Sequence, residues 1–496
     1  MDIAVVAISL LLGWAALWPG RRHLGTPAYH LLAYPIGVLA WGLVSALTTA
    51  TGMDFSAMTV AIGVALFLGL VCGAQRGLSS GVGPAPTSRS FLVTGLVIVG
   101  AAVAVVLMGT TISGWDSIIH YEIPGLNLLE AGSYSKDMMG EWAPLLPSLH
   151  AANRLFGSDW TYVPYPLFAG HALALFGYAM YRFSLAHLGP RPRLLLSITA
   201  TLSLAVLPAF VLHSLNVHSQ MVSALYLLLA LVALRASCQD SSARGAWALI
   251  AGLAAAGLAL SRPDGLAYVF VPGLVAAALV VSERWSRTEI ARFVVGHLGL
   301  LAASYLAAFG QLGLWESRKL KGEQAALMLG ASVVLALALF ALPRVRPLMS
   351  LPSKRRVMVG LLITAAALVV AAVALLEPAG CRKAGTNMVT NLFVTGGYGH
   401  LWWGVAAGSV VTLLFPRMLR SSDFSDLLLL ALIQFFAIAF TVHSLAFPGR
   451  LHPADSFNRV AFHSLPVFAW YLTAFAGTAV AAVLRAREPA PQRADL

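Results

Sequence analysis

VHSQMVSALYLLLALVALRA, residues 217–236, is the stretch that decides the fold. It is apolar almost throughout and holds no acidic residue. At about 20 residues it matches the hydrocarbon thickness of a bilayer. A cation, Arg235, lies at its end, and Arg244 opens the next apolar block. The pattern repeats in both directions along the chain. Apolar blocks lie near 2–18, 29–50, 57–74, 91–112, 161–185, 194–213, 217–236, 245–260, 265–282, 293–314, 325–342, 357–376, 400–415, 427–447 and 461–484. Across all 496 residues, 59% are hydrophobic and 10% charged, with a mean hydropathy of +0.80. An average soluble domain has about 25% charged residues. The composition therefore excludes an ordinary soluble enzyme, a disordered tail and a disulfide scaffold. The expected fold is all-α: a polytopic transmembrane helical bundle of about 13–15 spans. Backbone in lipid must satisfy its own hydrogen bonds, so each span is expected to be a helix. The 44 glycines, with many alanines, suit close helix packing.

The charges orient these spans. Residues 2–18 are apolar, yet no Lys or Arg precedes them and Arg21 and Arg22 follow, so they read as a retained span and not a signal peptide. With the N-terminus outside and strict alternation, most of the 32 Lys and Arg fall on the cytoplasmic side, from Arg21/Arg22 through Arg284/Arg287/Arg292 to Arg485/Arg487/Arg493. Most acidic residues fall outside. The pI near 9.9 is then a topogenic bias and needs no nucleic-acid partner. The cations left outside are Lys136, Arg154, Arg262, Arg318, Lys319, Lys321, Arg382, Lys383, Arg450 and Arg459. Cations placed against the rule are candidates for holding an anionic head group. Cys72, Cys238 and Cys381 are far apart and show no metal-ligand spacing.

One connection is long. Residues 111–160 form the first large outer loop and carry Asp116, Glu122, Glu130, Asp137, Glu141 and Asp159. Loops of this length are commonly functional. Its Trp, Tyr, Ile and Leu spacing predicts short amphipathic helices. One is expected over 116–129, with Asp116 as N-cap, Asp116 and His120 on one face, and a limit or kink at Pro124. A second is expected from Leu145 to Phe156 after Pro144, lying in the membrane interface. Asp116 reads either as a cap or as a carboxylate active just outside the bilayer.

Three stretches carry a resemblance to a known group. The first is WDSIIHYEIPGLNLLEAGSY (115–134), followed by WAPLLPSLHAANRLFG (142–157). The second is LALSRPDGLAYVFVP (258–272), and the third is DSFNRVAFHSLPVFAWYL (455–472). They resemble the first outer loop, the R-P-E/D-G segment and the N/D-R-Y…P start of a late span in the GT-C superfamily of membrane glycosyltransferases. About three spans precede the loop here, where the superfamily usually has one. Asp116 is followed by Ser117, so the Asp-Glu pair of protein O-mannosyltransferases is missing.

The resemblance implies transfer of a sugar from a polyprenyl-phosphate donor to an extracytoplasmic envelope glycan or glycolipid acceptor, with inversion. Such transfer needs a base for the acceptor hydroxyl and positive charge for the departing phosphate. Asp116 is implied as the base. His120, Tyr121, Glu122, Glu141 and Trp142 are expected to orient it or to bind sugar and acceptor. Trp142 and the Trp402–Trp403 pair also fit an interfacial belt. Arg262 and Arg459 are favoured for the lipid phosphate, with Asn458, Arg318 and Lys319 beside them, because guanidinium meets phosphate bidentately. Both arginines are placed at outer ends of spans. Pairing with Asp264 is an equal alternative for Arg262, and snorkelling for Arg459. No cofactor is expected. The outward histidines, His213, His218, His400, His443, His452 and His463, lack metal-binding spacing, so no site for a divalent metal is defined. His171 and His297 read as buried, hydrogen-bonded side chains.

Residues 396–399, GGYG, read as an outer turn and not a nucleotide loop. The short cytoplasmic loops leave no room for a nucleotide-sugar domain. The chain divides into N-terminal spans (1–110), the outer catalytic loop (111–160), a helical core (161–484) and a cytoplasmic tail (485–496). The composition suggests a bacterial inner membrane. Two other functions fit a polytopic chain: an O-antigen-type polymerase or ligase, whose large loop usually comes late, and a secondary transporter or lipid flippase, which would carry mid-span charges and repeats.

Overall fold

The computed structural model describes residues 4–51, 53–75, 121–131, 143–157, 164–216, 218–239, 242–262, 264–282, 285–312, 322–345, 354–394, 398, 400–415, 424–445 and 456–487. These are helical, with no β-strand among them. The helices are α1 (Ala4–Leu17), α2 (Thr26–Thr51), α3 (Ala57–Ala74), α4 (Ile123–Ala131), α5 (Leu145–Leu155), α6 (Pro164–Ala179), α7 (Pro190–Ala205), α8 (Pro208–Leu215), α9 (Ser219–Gln239), α10 (Arg244–Ser261), the single turn α11 (Gly265–Tyr268), α12 (Phe270–Val281), α13 (Arg287–Leu312), α14 (Gly322–Val345), α15 (Lys354–Leu376), α16 (Pro378–Val389), α17 (Leu401–Leu414), α18 (Ser425–Leu445), α19 (Ser456–Phe462) and α20 (Leu465–Arg487).

Every apolar block of the sequence falls on one of these helices except 91–112, which lies outside the described residues. Among the described residues, nine helices are long and apolar enough to cross a membrane, or ten if the bent pair α7–α8 is one span. The expected number was about 13–15. The difference has identifiable sources. α7 and α8 meet at 66°, because Leu207 is extended ahead of Pro208, the residue type that disfavours a helical predecessor. The blocks at 265–282 and 400–415 give shorter helices. The chain is thus a multi-pass helical membrane protein.

Burial separates centre from periphery. In α9 and α10, 94% of the apolar stretch is buried, against 11% in α15 and 17% in α14. α2 is buried to the same 94%, so α2, α9 and α10 form the middle of the bundle, and α14 and α15 offer Leu327, Leu368, Leu375 and Leu376 to the surroundings. Glycines set the tightest contacts. A Cβ on Gly252 of α10 would meet Phe293 O of α13 at 2.1 Å, and one on Gly37 of α2 would meet Ser9 O of α1 at 1.7 Å. Only a missing side chain allows backbones so close. Gly252→Val is expected to lower stability by about 3 kcal/mol or more, because backbone on α13 cannot give way. A drop in the midpoint of thermal unfolding in detergent measures it.

The two ends of the bundle differ. At one, Gln75 Nε2 donates to Ala16 O (2.6 Å), Arg292 Nε to Ala74 O (3.2 Å) and Arg244 Nε to Ser237 O (3.1 Å). This is the basic end, and Arg21 and Arg22 follow α1 there. At the other end α9 begins and α10 finishes, joined by Ser223 Oγ and Ser261 Oγ at 2.9 Å.

Two loop expectations change. The helix expected over 116–129 is described from a wide turn at Tyr121–Glu122 and continues as α4 to Ala131. The widening comes just before Pro124, which has no N–H to give. The helix after Pro144 forms, and it is covered by protein on nearly all sides. Leu145 to Asn153 are all buried, and the helix is inserted against α2. The Phe156 ring packs on Trp41 at 6.3 Å, and Leu145 reaches Gly42. Its polar residues made it read as amphipathic, yet Ser148 and Asn153 bond their own helix backbone, so both faces can be covered.

Candidate functional site

The centre of the site is the break between α10 and α11. Arg262 follows the last residue of α10 in an extended conformation, and Asp264 opens α11. Arg262 Nε donates to Asp264 Oδ1 at 2.7 Å and Nη2 to Oδ2 at 3.3 Å, a bidentate pair. Arg262 Nη1 donates to Ser219 Oγ at 3.3 Å, at the start of α9. The Ser219 N–H donates to the Tyr121 hydroxyl at 3.2 Å. One chain of bonds thus links the turn ahead of α4, α9 and the Arg262–Asp264 pair. The pair retains 14% and 11% side-chain exposure, enough for contact with a small group. Burial pushes the Asp264 carboxyl up, but the Arg262 guanidinium more than reverses this and holds it below the ordinary carboxylate value.

Histidine and aromatic rings surround the pair. The Tyr268 ring stacks on Phe435 with centroids 4.7 Å apart, and His463 sits edge-on to Tyr268 at 6.0 Å. Asp264 interacts electrostatically with His463 and with His443 near the end of α18. Burial first, and then Arg262, hold the His463 imidazole well below its ordinary value, with Asp264 opposing. Both its nitrogens and the Tyr268 hydroxyl lack hydrogen-bond partners among the described residues. His213 of α8 bonds the Tyr398 hydroxyl and packs on Phe462 at 4.2 Å. It lies within electrostatic reach of both Arg262 and Arg459.

Phe435 lies at the middle of the 21-residue α18. Through Tyr268 the cluster reaches down to that level, while Arg262 itself directly follows the last residue of α10, at the end of the bundle where α10 finishes. The two charges persist there because Arg262 and Asp264 neutralise each other. Arg262 is also no isolated cation for a phosphate. Among the described residues three of its five N–H groups are engaged.

The other expected residues divide as follows. Arg459 comes near the cluster, within electrostatic reach of Tyr398 and His213. Asn458 is buried, and one N–H of its amide donates to Asn391 O at 2.8 Å, which braces the chain there. Glu122 pairs with Arg154 of α5 at 3.1 Å, which ties α4 to α5. Asp116, His120, Glu141, Trp142, Arg318 and Lys319 lie outside the described residues. His171 Nδ1 is 2.8 Å from Leu167 O, as expected of a hydrogen-bonded histidine. His297 differs: both its nitrogens are buried without partners among the described residues, because it faces the apolar α10–α13 seam beside Phe293. No group of three or more His, Cys, Asp or Glu able to hold a metal is found among the described residues.

Sequence reasoning missed Ser219, His150 and Tyr268. His150 Nε2 is 3.0 Å from the Tyr165 hydroxyl, and its ring stacks on Tyr121 at 6.4 Å. Burial, helped by the Arg154 charge, pushes the His150 imidazole down to about 3. Each missed residue had one signal, a polar side chain inside or beside an apolar run. Tyr121→Phe is expected to cost about 1–3 kcal/mol, since the buried Ser219 N–H loses its acceptor. Thermal unfolding in detergent reads that loss. No family model, no curated protein and no solved structure matches the chain.

Proposed function

We propose that this protein is a membrane glycosyltransferase of the GT-C kind, moving a sugar from a polyprenyl-phosphate donor to an extracytoplasmic glycan or glycolipid acceptor. One observation carries the reading. Three segments far apart in sequence, those containing Tyr121, Arg262–Asp264 and His463, meet in one cluster. They belong to the three stretches that resemble the superfamily.

In this reading the Asp116 carboxylate takes the proton of the acceptor hydroxyl. The acceptor oxygen bonds the anomeric carbon from one face while the bond to the phosphate oxygen breaks on the other. Polyprenyl phosphate leaves, and the configuration inverts. Arg459 and Arg262 balance the growing phosphate charge. Asp264 keeps Arg262 aimed and lowers its net charge, which favours release of the dianionic product.

The test is transfer by purified protein from a panel of radiolabelled polyprenyl-phosphate sugars into membrane extract. Transfer from one donor is expected. Arg459→Gln is expected to weaken donor binding 10-fold or more, the worth of one charged hydrogen bond. Absence of transfer with every donor, in protein that still unfolds cooperatively, would sink the reading. A buried, charge-paired cluster would then point to a transporter.

A further inference from the structure

At the basic end, away from the cluster, the surface holds an open groove of about 620 Å³ lined by Trp14, Ala15, Trp18, Tyr29 and His30. It runs between the last turns of α1 and the first turns of α2. Its walls are braced. The Tyr29 hydroxyl donates to Trp14 O at 2.9 Å, and the His30 ring meets the Trp14 and Tyr29 rings at 5.8 and 5.2 Å. Arg21 lies at its rim, with the guanidinium carbon 3.3 Å from the centroid of the Trp18 ring and Nη1 donating to Trp18 O at 3.2 Å. Arg22 follows, exposed. Neither arginine forms an ion pair with a carboxylate among the described residues.

We propose that this groove is a binding site for a phospholipid with a net negative head group. An apolar, aromatic trough suits an acyl chain and the glycerol region. Trp and Tyr favour that depth of a bilayer, where one end of the ring is dry and the other wet. The Arg21 guanidinium at the rim matches a phosphate, its stacking on Trp18 already orders it so that less freedom is lost on binding, and the exposed Arg22 next to it in the chain adds a second positive charge. The charge at the rim discriminates an anionic head group from a zwitterionic one of the same shape. The site does not depend on the proposed reaction, since it lies at the other end of the bundle.

Native mass spectrometry of delipidated, full-length protein with added phosphatidylglycerol or phosphatidylcholine of identical chains tests the proposal. Phosphatidylglycerol is expected to be retained more tightly, by roughly 5-fold for each arginine at low salt. Arg21→Gln/Arg22→Gln should abolish the preference, and Arg21→Lys/Arg22→Lys should keep most of it. Trp18→Ala should weaken both lipids. Equal retention of the two lipids by the unchanged protein would overturn the proposal. A second measurement needs no variant: photoreactive phosphatidylglycerol should label peptides within residues 14–30. Labelling confined to other segments would overturn it as well.

Discussion

Asp264→Ala is expected to yield little folded protein, with a loss of about 3–5 kcal/mol, the cost of stripping one partner from a buried ion pair. Arg262 would remain in a largely buried site, its charge uncompensated and two of its donors without acceptors. Removing both charges should cost far less. Arg262→Met/Asp264→Leu replaces the pair with apolar side chains of similar size, and such replacements are often neutral. The double variant should therefore unfold at nearly the temperature of the unchanged protein while Asp264→Ala unfolds far lower. It should also have lost donor binding, since the cluster then keeps Arg459 alone near the phosphate position. Equal stability of Asp264→Ala and the unchanged protein would show that the pair is solvated and not buried. The comparison separates a residue that holds the fold from one that holds a ligand.

Asp116→Asn should lower the rate of transfer by about 100- to 10,000-fold, the usual contribution of a general base. Asn is nearly isosteric and can still cap a helix, so folding and donor affinity should hold. That combination is what distinguishes a base from a cap. An Asp116→Asn protein that transfers normally would leave Asp116 as a cap and direct attention to Glu122 or Glu141. Glu122 is the weaker of these two candidates, because its carboxylate already accepts from Arg154.

Particular residues show how far the sequence could be read. The block at 217–236 became α9, and the arginines that follow such blocks gather at one end, as with Arg21, Arg244 and Arg292. These readings rest on local properties. Other readings failed where a contact crossed the chain. Leu145–Leu155 has the pattern of a surface helix, yet it is buried against α2. Arg262 had two readings, free or paired, and its neighbour two residues on decided between them only through the turn that brings both carboxylate oxygens round to it.

A long apolar span in a bilayer satisfies its own backbone as a helix, so span length and composition suffice to place the helices. That much was legible in composition and spacing. What those patterns do not carry is which polar side chains share a buried volume. Tyr121, Ser219, Arg262 and His463 are far apart in the chain, and their meeting depends on how α9, α10, α11 and α19 pack. The energy of a buried charge is set by its partner and its depth, quantities that exist only once the helices are assembled.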